Sequence, residues 1–257
     1  MSDNVYLQRN QPEGVPPLAL TGERTLPDVP EENYWYQRHL VVYEWIATRV
    51  GGLHVVDVAS GEGYGANVLA GTAKSVLGIE PNPDAFDHAV ARYPRVTFRR
   101  DIAETFVEEC DAITFLQTIE HVPDPDAVLE HFKSQLRGGR GSGSTAYVST
   151  PNLLTIAPEG AEKSGNPWHV KEYRAEEFRA LCERHFSSVE VLGLFHARKL
   201  RVHELAIRHA RWDDIHDKLG FTKRFYDRFT PAIDVKDFAL RGRDLDKALD
   251  FLAVCRP

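Results

Sequence analysis

The stretch Val55-Val-Asp-Val-Ala-Ser-Gly-Glu-Gly-Tyr-Gly65 decides how the rest of the chain is read. The apolar, β-branched run from Leu53 to Val58 predicts a buried strand. It breaks into a turn where Gly61 and Gly63 can adopt backbone angles closed to other residues and let the chain pass close to a ligand. A helix beginning around Ala66 to Leu69 then presents its unpaired N-terminal amides to that ligand. Strand, glycine turn and helix predict a binding site at one edge of an α/β sheet. The motif by itself leaves the choice of ligand open.

On either side, strands and helices alternate. Ser75 to Ile79, Val96 to Phe98, Ala112 to Leu116, Ala146 to Ser149, Val189 to Phe195 and Phe251 to Cys255 read as strands. Asp84 to Arg92, Asp126 to Leu136 and Ala175 to Arg184 read as helices. Near-continuous apolar strands separated by helices predict a parallel sheet covered on both faces. Arg137-Gly-Gly-Arg-Gly-Ser-Gly-Ser144 is glycine-rich too, but it joins a helix to a strand, the reverse of a phosphate loop, and reads as a flexible turn. Residues 1 to about 30 carry five prolines and little periodicity, as an arm would. From Glu31 to Val50, Tyr36, Leu40, Tyr43 and Ile46 recur at helical spacing. The expected division is therefore an arm and helix over residues 1–48 that cover the active site, then a domain over 49–257 with a charged helical insertion at about 200–230. Arm and insertion are expected to close over bound ligands.

Totals narrow the function. The chain has 257 residues, 42% apolar content and a net charge of -7, which suits one large globular core and gives no footprint for nucleic acid. Cys110, Cys182 and Cys255 are odd in number and far apart, as thiols in a reducing compartment are. No apolar run approaches a membrane span, and no basic-then-apolar leader opens the chain. A cytoplasmic protein without a membrane partner is the expectation.

Further motifs choose the ligand. The second strand ends Leu77-Gly-Ile-Glu80, placing an acid where it accepts hydrogen bonds from both hydroxyls of a ribose. Arg100-Asp-Ile-Ala103 follows the third strand, and Phe115-Leu-Gln-Thr-Ile-Glu-His-Val122 follows the fourth. This order of motifs resembles class I S-adenosylmethionine (SAM)-dependent methyltransferases. The resemblance implies a Rossmann-like α/β fold with a seven-stranded sheet and SAM as cofactor. It assigns Asp57, Ala59, Gly61, Gly63, Glu80, Asp101, Ile102, Gln117 and Arg38 to cofactor binding, with Asp57 orienting the loop amides or the methionine amine and Asp101 and Ile102 meeting the adenine. Ala59 departs from the family's acid-x-Gly-x-Gly-x-Gly pattern at its first glycine, a change that costs little where the backbone angle is ordinary.

Methyl transfer is an in-line displacement, so an oxygen or nitrogen nucleophile must be positioned and its proton managed. Glu120 and His121 lie at the carboxyl edge of the sheet, and His169 follows in the irregular segment Gly165-Asn-Pro-Trp-His-Val-Lys-Glu-Tyr173. Glu-His with a distant His resembles the metal site of small-RNA 2′-O-methyltransferases, and Glu-His that of ubiquinone-pathway O-methyltransferases. The resemblance implies Mg²⁺ on Glu120, His121 and His169, with uncharged Gln117 where another carboxylate is common. The other reading is a metal-free site with His121 or His169 as general base. Leu20 to His39, Ser149-Thr-Pro-Asn152, Gly193-Leu-Phe-His196 and Asp244 to Pro257 resemble actinobacterial sugar O-methyltransferases of polymethylated polysaccharide biosynthesis, most of all those that cap a short methylated mannoside. On that resemblance the acceptor is an oligosaccharide or small molecule. Tyr34, Trp35, Tyr36 and Trp168 would stack on it, and a homodimer is the expected assembly. A phenol or natural-product O-methyltransferase is the competing enzyme. An oxidoreductase or a silent SAM-binding module fits Asp101-Ile102 and Gln117 to His121 less well.

Overall fold

The computed structural model describes residues 8, 10–20, 24–137, 143–158, 160–210 and 222–257. Five parallel strands form the part of the sheet that matters for the site: β1 (His54–Val58), β2 (Ser75–Ile79), β3 (Thr97–Arg99), β4 (Ala112–Leu116) and β5 (Thr145–Pro151). Three more complete it: β6 (Ser188–His196), β7 (Phe238–Arg241) and β8 (Asp250–Arg256), in the order β3-β2-β1-β4-β5-β8-β6-β7. β8 runs antiparallel to both β5 and β6, and β7 antiparallel to β6. The α/β Rossmann-like expectation holds, with eight strands in place of seven. β7 went unread because Phe238-Ala-Leu-Arg241 is a four-residue edge strand with one buried residue, too short to show a period.

Burial follows the alternation of each strand. Val56 and Val58 join Ile79, Ile113, Phe115 and Val148 in one core cluster, while Val55 joins Val76, Ala112 and Tyr147 in another. The first helix, α1 (Asn33–Ala47), adds Tyr43 and Ile46 to the second cluster. The crossover helices are α2 (Tyr64–Leu69), α3 (Pro83–Arg92) and α4 (Pro125–Gln135). Asn82 caps α3 by accepting the Ala85 amide, and Asp124 caps α4 by accepting the Ala127 amide, each with proline in the first turn. These caps start each helix within a few residues of a strand end. Because β2 and β4 flank β1 on opposite sides, the chain leaves neighbouring strands in opposite directions and opens a crevice at their carboxyl ends.

Beyond β5 come α5 (Leu153–Ile156) and α6 (Ala175–Glu183), and between β6 and β7 the insertion carries α7 (Arg198–Ala210) and α8 (Thr222–Phe229). Parts of the expected arm (1–7, 9 and 21–23), of the glycine-rich turn (138–142) and of the insertion (211–221) lie outside the described residues. The three cysteines are free and buried. Among the described residues no helix is long and apolar enough to cross a membrane.

Candidate active site

The glycine turn is tied down from beneath. Ser60 donates its amide to the Ile79 carbonyl at 3.0 Å. Glu80 accepts the Gly61 amide at 2.8 Å and the Asn82 amide at 2.9 Å, so its carboxylate bridges the turn and the start of α3. Gly63 has φ +95°, and a Cβ there would meet Ala89, Tyr93 and Phe98 at 3.0 Å; no other residue fits. A cavity of about 270 Å³ opens above, walled by Ala59, Gly61, Glu80, Leu116, Gln117 and His121 among others.

Two of these residues sit in the left-handed region without being glycine: Ala59 at φ +57° and Gln117 at φ +52°. The backbone angle at Ala59 is therefore not ordinary, and the missing glycine stores strain in the wall of this cavity. Ala59→Gly should stabilise the fold by on the order of 1 kcal/mol, raising the melting temperature by about 2–4 °C. Thermal unfolding with and without SAM checks this. An unchanged or lower midpoint would remove the strain argument.

Asp57 is fully buried; one carboxylate oxygen accepts Thr114 Oγ1 at 2.6 Å and the Tyr43 hydroxyl at 3.2 Å, and the other has no partner. Burial pushes its carboxyl up to about 7. It lies below the cavity wall, as a residue orienting the turn would, with an acceptor still unspent. Asp101 and Ile102 lie beyond the wall, past the end of β3: Asp101 accepts the Ile102 amide at 2.9 Å, and the Ile102 side chain is exposed.

Arg38 does not reach this cavity. Asp250 holds it through two hydrogen bonds of 2.7 and 2.6 Å, and it also donates to the Leu249 carbonyl, so its donors are used to tie α1 to β8. The arginine on the first cavity is Arg24, from the arm, together with Thr25. Sequence pattern could not choose between them, since both lie in the one segment from Leu20 to His39.

A second cavity of about 560 Å³ adjoins the first, and Arg24, Thr25, His39, Gln117 and His121 wall both. Burial lowers the His39 imidazole to about 4, so it is neutral near pH 7. Here the structure brings Glu120, His121 and His169 together, with one potential ligand atom from each lying within 4.8 Å of the others. The backbone explains how. The Glu120 carbonyl accepts the Val170 and Lys171 amides at 2.8 and 3.1 Å, and His121 Nδ1 donates to the Trp168 carbonyl at 2.9 Å. That bond commits Nδ1–H to Trp168 and so sets the orientation of the His121 ring.

Glu120 is buried, with one oxygen unpartnered, and burial raises its carboxyl to about 8. His169 is oriented by a residue that sequence reasoning missed. Glu172 accepts His169 Nδ1–H at 2.6 Å and the Ser164 amide at 2.7 Å. Asn166 accepts the Trp168 amide at 3.0 Å, which turns its NH₂ onto His169 Nε2 at 2.9 Å. The signal was an acid three residues after a histidine, in a segment with no periodicity to give that spacing meaning.

The aromatic expectations divide. Trp35 lines the second cavity, whereas Tyr34, Tyr36 and Trp168 fall outside the walls of both. The Tyr34 hydroxyl bonds His196 Nε2 at 2.9 Å, so it braces α1 against β6. Tyr36 packs edge-on against Tyr64, which walls the first cavity, with ring centroids 5.1 Å apart. Trp168 contributes its carbonyl, and its ring is exposed.

Comparison with known proteins agrees with this architecture. Residues 34–205 match the methyltransferase domain family. A "probable S-adenosylmethionine-dependent methyltransferase" of Mycolicibacterium smegmatis is 36% identical, over 92% of this chain and 94% of its own. A ubiquinone biosynthesis O-methyltransferase of Pseudomonas savastanoi is 31% identical over 46% of this chain and 55% of its own length. Among solved structures, a SAM-dependent methyltransferase of Thermotoga maritima superposes with a TM-score of 0.58 at 16% identity, covering 88% of this chain and 95% of that one. A crevice at the strand ends, an acid closing it at β2, a family match over residues 34–205 and a relative aligned over nine-tenths of both chains lead to one statement: this chain belongs to the SAM-dependent methyltransferases, and SAM is its cofactor.

Proposed function

We propose that this methyltransferase acts on a sugar hydroxyl, with a short methylated mannoside as acceptor, the substrate class implied by the sequence resemblance. SAM occupies the first cavity, with its ribose on Glu80, its amine toward Asp57, its adenine against Asp101 and Ile102, and its carboxylate on Arg24. The acceptor enters the second cavity, where Trp35 offers an aromatic face to sugar C–H bonds. Arg24 and Thr25 of the arm wall both. The three buried, free cysteines suit a cytoplasmic setting.

One observation carries the chemistry: Glu120, His121 and His169 converge beside the wall shared by the two cavities. SAM supplies a methyl group on a positively charged sulfur, and attack by the acceptor oxygen breaks the carbon–sulfur bond as the carbon–oxygen bond forms. The hydroxyl proton has to leave, because a sugar hydroxyl is not ionised at neutral pH. The donor set fits a divalent cation: a buried carboxylate oxygen without a partner and two imidazoles, of which His169 would exchange Asn166 for the ion. Such an ion, Mg²⁺ or Mn²⁺, lowers the pKa of a bound hydroxyl. Two imidazoles suit Mn²⁺ at least as well as Mg²⁺. Glu172 and Trp168 fix the orientation of the two rings through their Nδ1–H groups, as carboxylate–histidine and carbonyl–histidine pairs do for metal ligands.

The half-length likeness to ubiquinone O-methyltransferases favours a second reading, in which the acceptor is a phenol. One experiment separates these. Labelled SAM should pass its methyl to short methylated mannosides and not to catechols; the reverse preference would replace the sugar reading. Excess EDTA should abolish turnover, and Mn²⁺ or Mg²⁺ should restore it. Full turnover in EDTA would leave His121 as the base and reject the metal.

A further inference from the structure

Glu62 belongs to the glycine turn and lines the cofactor cavity, yet its carboxylate is wholly buried among donors from elsewhere. The Tyr93 hydroxyl lies 3.0 and 2.8 Å from its two oxygens, the Tyr64 amide donates at 3.1 Å, and His88 Nε2 is 3.0 Å away. Arg92 Nε adds an ion pair at 3.1 Å. A turn next to a cofactor needs nothing so elaborate; small residues would close it.

What these donors also hold is the arm. His88 Nδ1 bonds the Pro16 carbonyl at 2.5 Å. Arg92 donates to Asp28 at 2.8 Å and to Gln8 Oε1 at 3.2 Å. Gln8 Nε2 in turn donates to the Pro27 carbonyl at 2.9 Å and reaches Glu62 at 3.4 Å. Beside this polar network Leu18, Leu26 and Val29 bury themselves against Ala85 of α3. The docked arm delivers Arg24 and Thr25 to the wall shared by both cavities. There Thr25 Oγ1 lies 3.2 Å from the Tyr64 hydroxyl and 3.4 Å from His39 Nδ1.

We propose that Glu62 and Arg92 are positioning residues that make arm docking and SAM binding one equilibrium. The geometry of the turn that receives SAM and the contacts that hold the arm share a single buried carboxylate. Whatever fixes one fixes the other. The inference rests on placing SAM in the first cavity. Arg92 walls neither cavity, so it can be altered without touching a ligand.

The test is Arg92→Leu in the full chain. Hydrogen exchange in residues 10–20 and 24–29 should speed up, and the dissociation constant for SAM should rise by about tenfold or more, within the range of ordinary coupling between sites. The KM for SAM should rise with it while kcat at saturating SAM stays within about threefold, a split that general damage to the fold would not give. Arg92→Lys should recover part of the affinity. Coupling is reciprocal, so in the unaltered protein SAM must slow exchange in the arm. A loosened arm with SAM affinity unchanged overturns the proposal, as does an arm that Arg92→Leu leaves protected, or one that SAM does not protect. Should Arg92→Leu fail to fold, Asp28→Ala cuts the same link from the arm side and is read in the same way. Glu80→Ala keeps the underlying assumption separate: unchanged SAM affinity in that variant would unseat SAM from the first cavity, whatever Arg92 does.

Discussion

Replacing His121 with alanine is expected to slow methyl transfer by about 10²–10⁴-fold, the range for loss of a group that manages the proton in the transition state. SAM affinity should stay within about threefold. His121 is the one member of the Glu120, His121 and His169 cluster that walls both cavities, so it stands where the proposed function brings cofactor and acceptor together. Its ring is oriented from behind by the Trp168 carbonyl, which accepts from Nδ1. Single-turnover kinetics with saturating SAM and acceptor measures the chemical step directly. Near-normal rates in His121→Ala would place the proton's acceptor elsewhere, and near-normal rates in Glu120→Ala and His169→Ala as well would discard the whole cluster.

Glu80→Ala carries the second large effect. Two charge-assisted hydrogen bonds to a ribose contribute about 2–4 kcal/mol, so the SAM dissociation constant should rise by about 30- to 1000-fold. The structure adds a reason for the upper part of that range. The same carboxylate accepts the amides of Gly61 and Asn82, and its removal unfastens the glycine turn along with the ribose. Glu80→Gln keeps one acceptor oxygen and should fall between the two. Titration calorimetry reads all three proteins, and affinity unchanged within twofold in Glu80→Ala would mean that the cofactor does not use the end of β2.

How far the chain could be read from its sequence depended on what each signal encodes. Buried parallel strands are written as apolar runs, so β1, β2 and β4 were legible to within a residue or so, and with them the crevice. The ends of those strands led to Glu80, Glu120 and His121. The backbone angle at Ala59 was illegible, because a residue type constrains φ only statistically and this one is held by its surroundings. Arg38 illustrates a different blindness: its use was set by Asp250, 212 positions away, and no local pattern announces such a partner. The aromatic residues of α1 fell to the same cause, whereas Glu172 lies three positions from His169 in a segment with no periodicity to give that spacing meaning. Tyr34, Trp35 and Tyr36 are adjacent and chemically alike, yet the helix turns each to a different neighbour, and only Trp35 toward the cavity.

The position of β8 has a consequence for synthesis. β1 to β5 pair only with one another up to the edge of β5, so that half of the sheet can assemble as the ribosome delivers it. β6 and β7 can pair with each other across the insertion, but neither is a neighbour of β5. The strand between them, antiparallel to both neighbours, is translated after everything it joins. Until it arrives, the nascent chain carries two open sheet edges, at β5 and at β6, exposed together. Completion of this enzyme is thus a closing event, in which one late strand inserts like a keystone between halves already made.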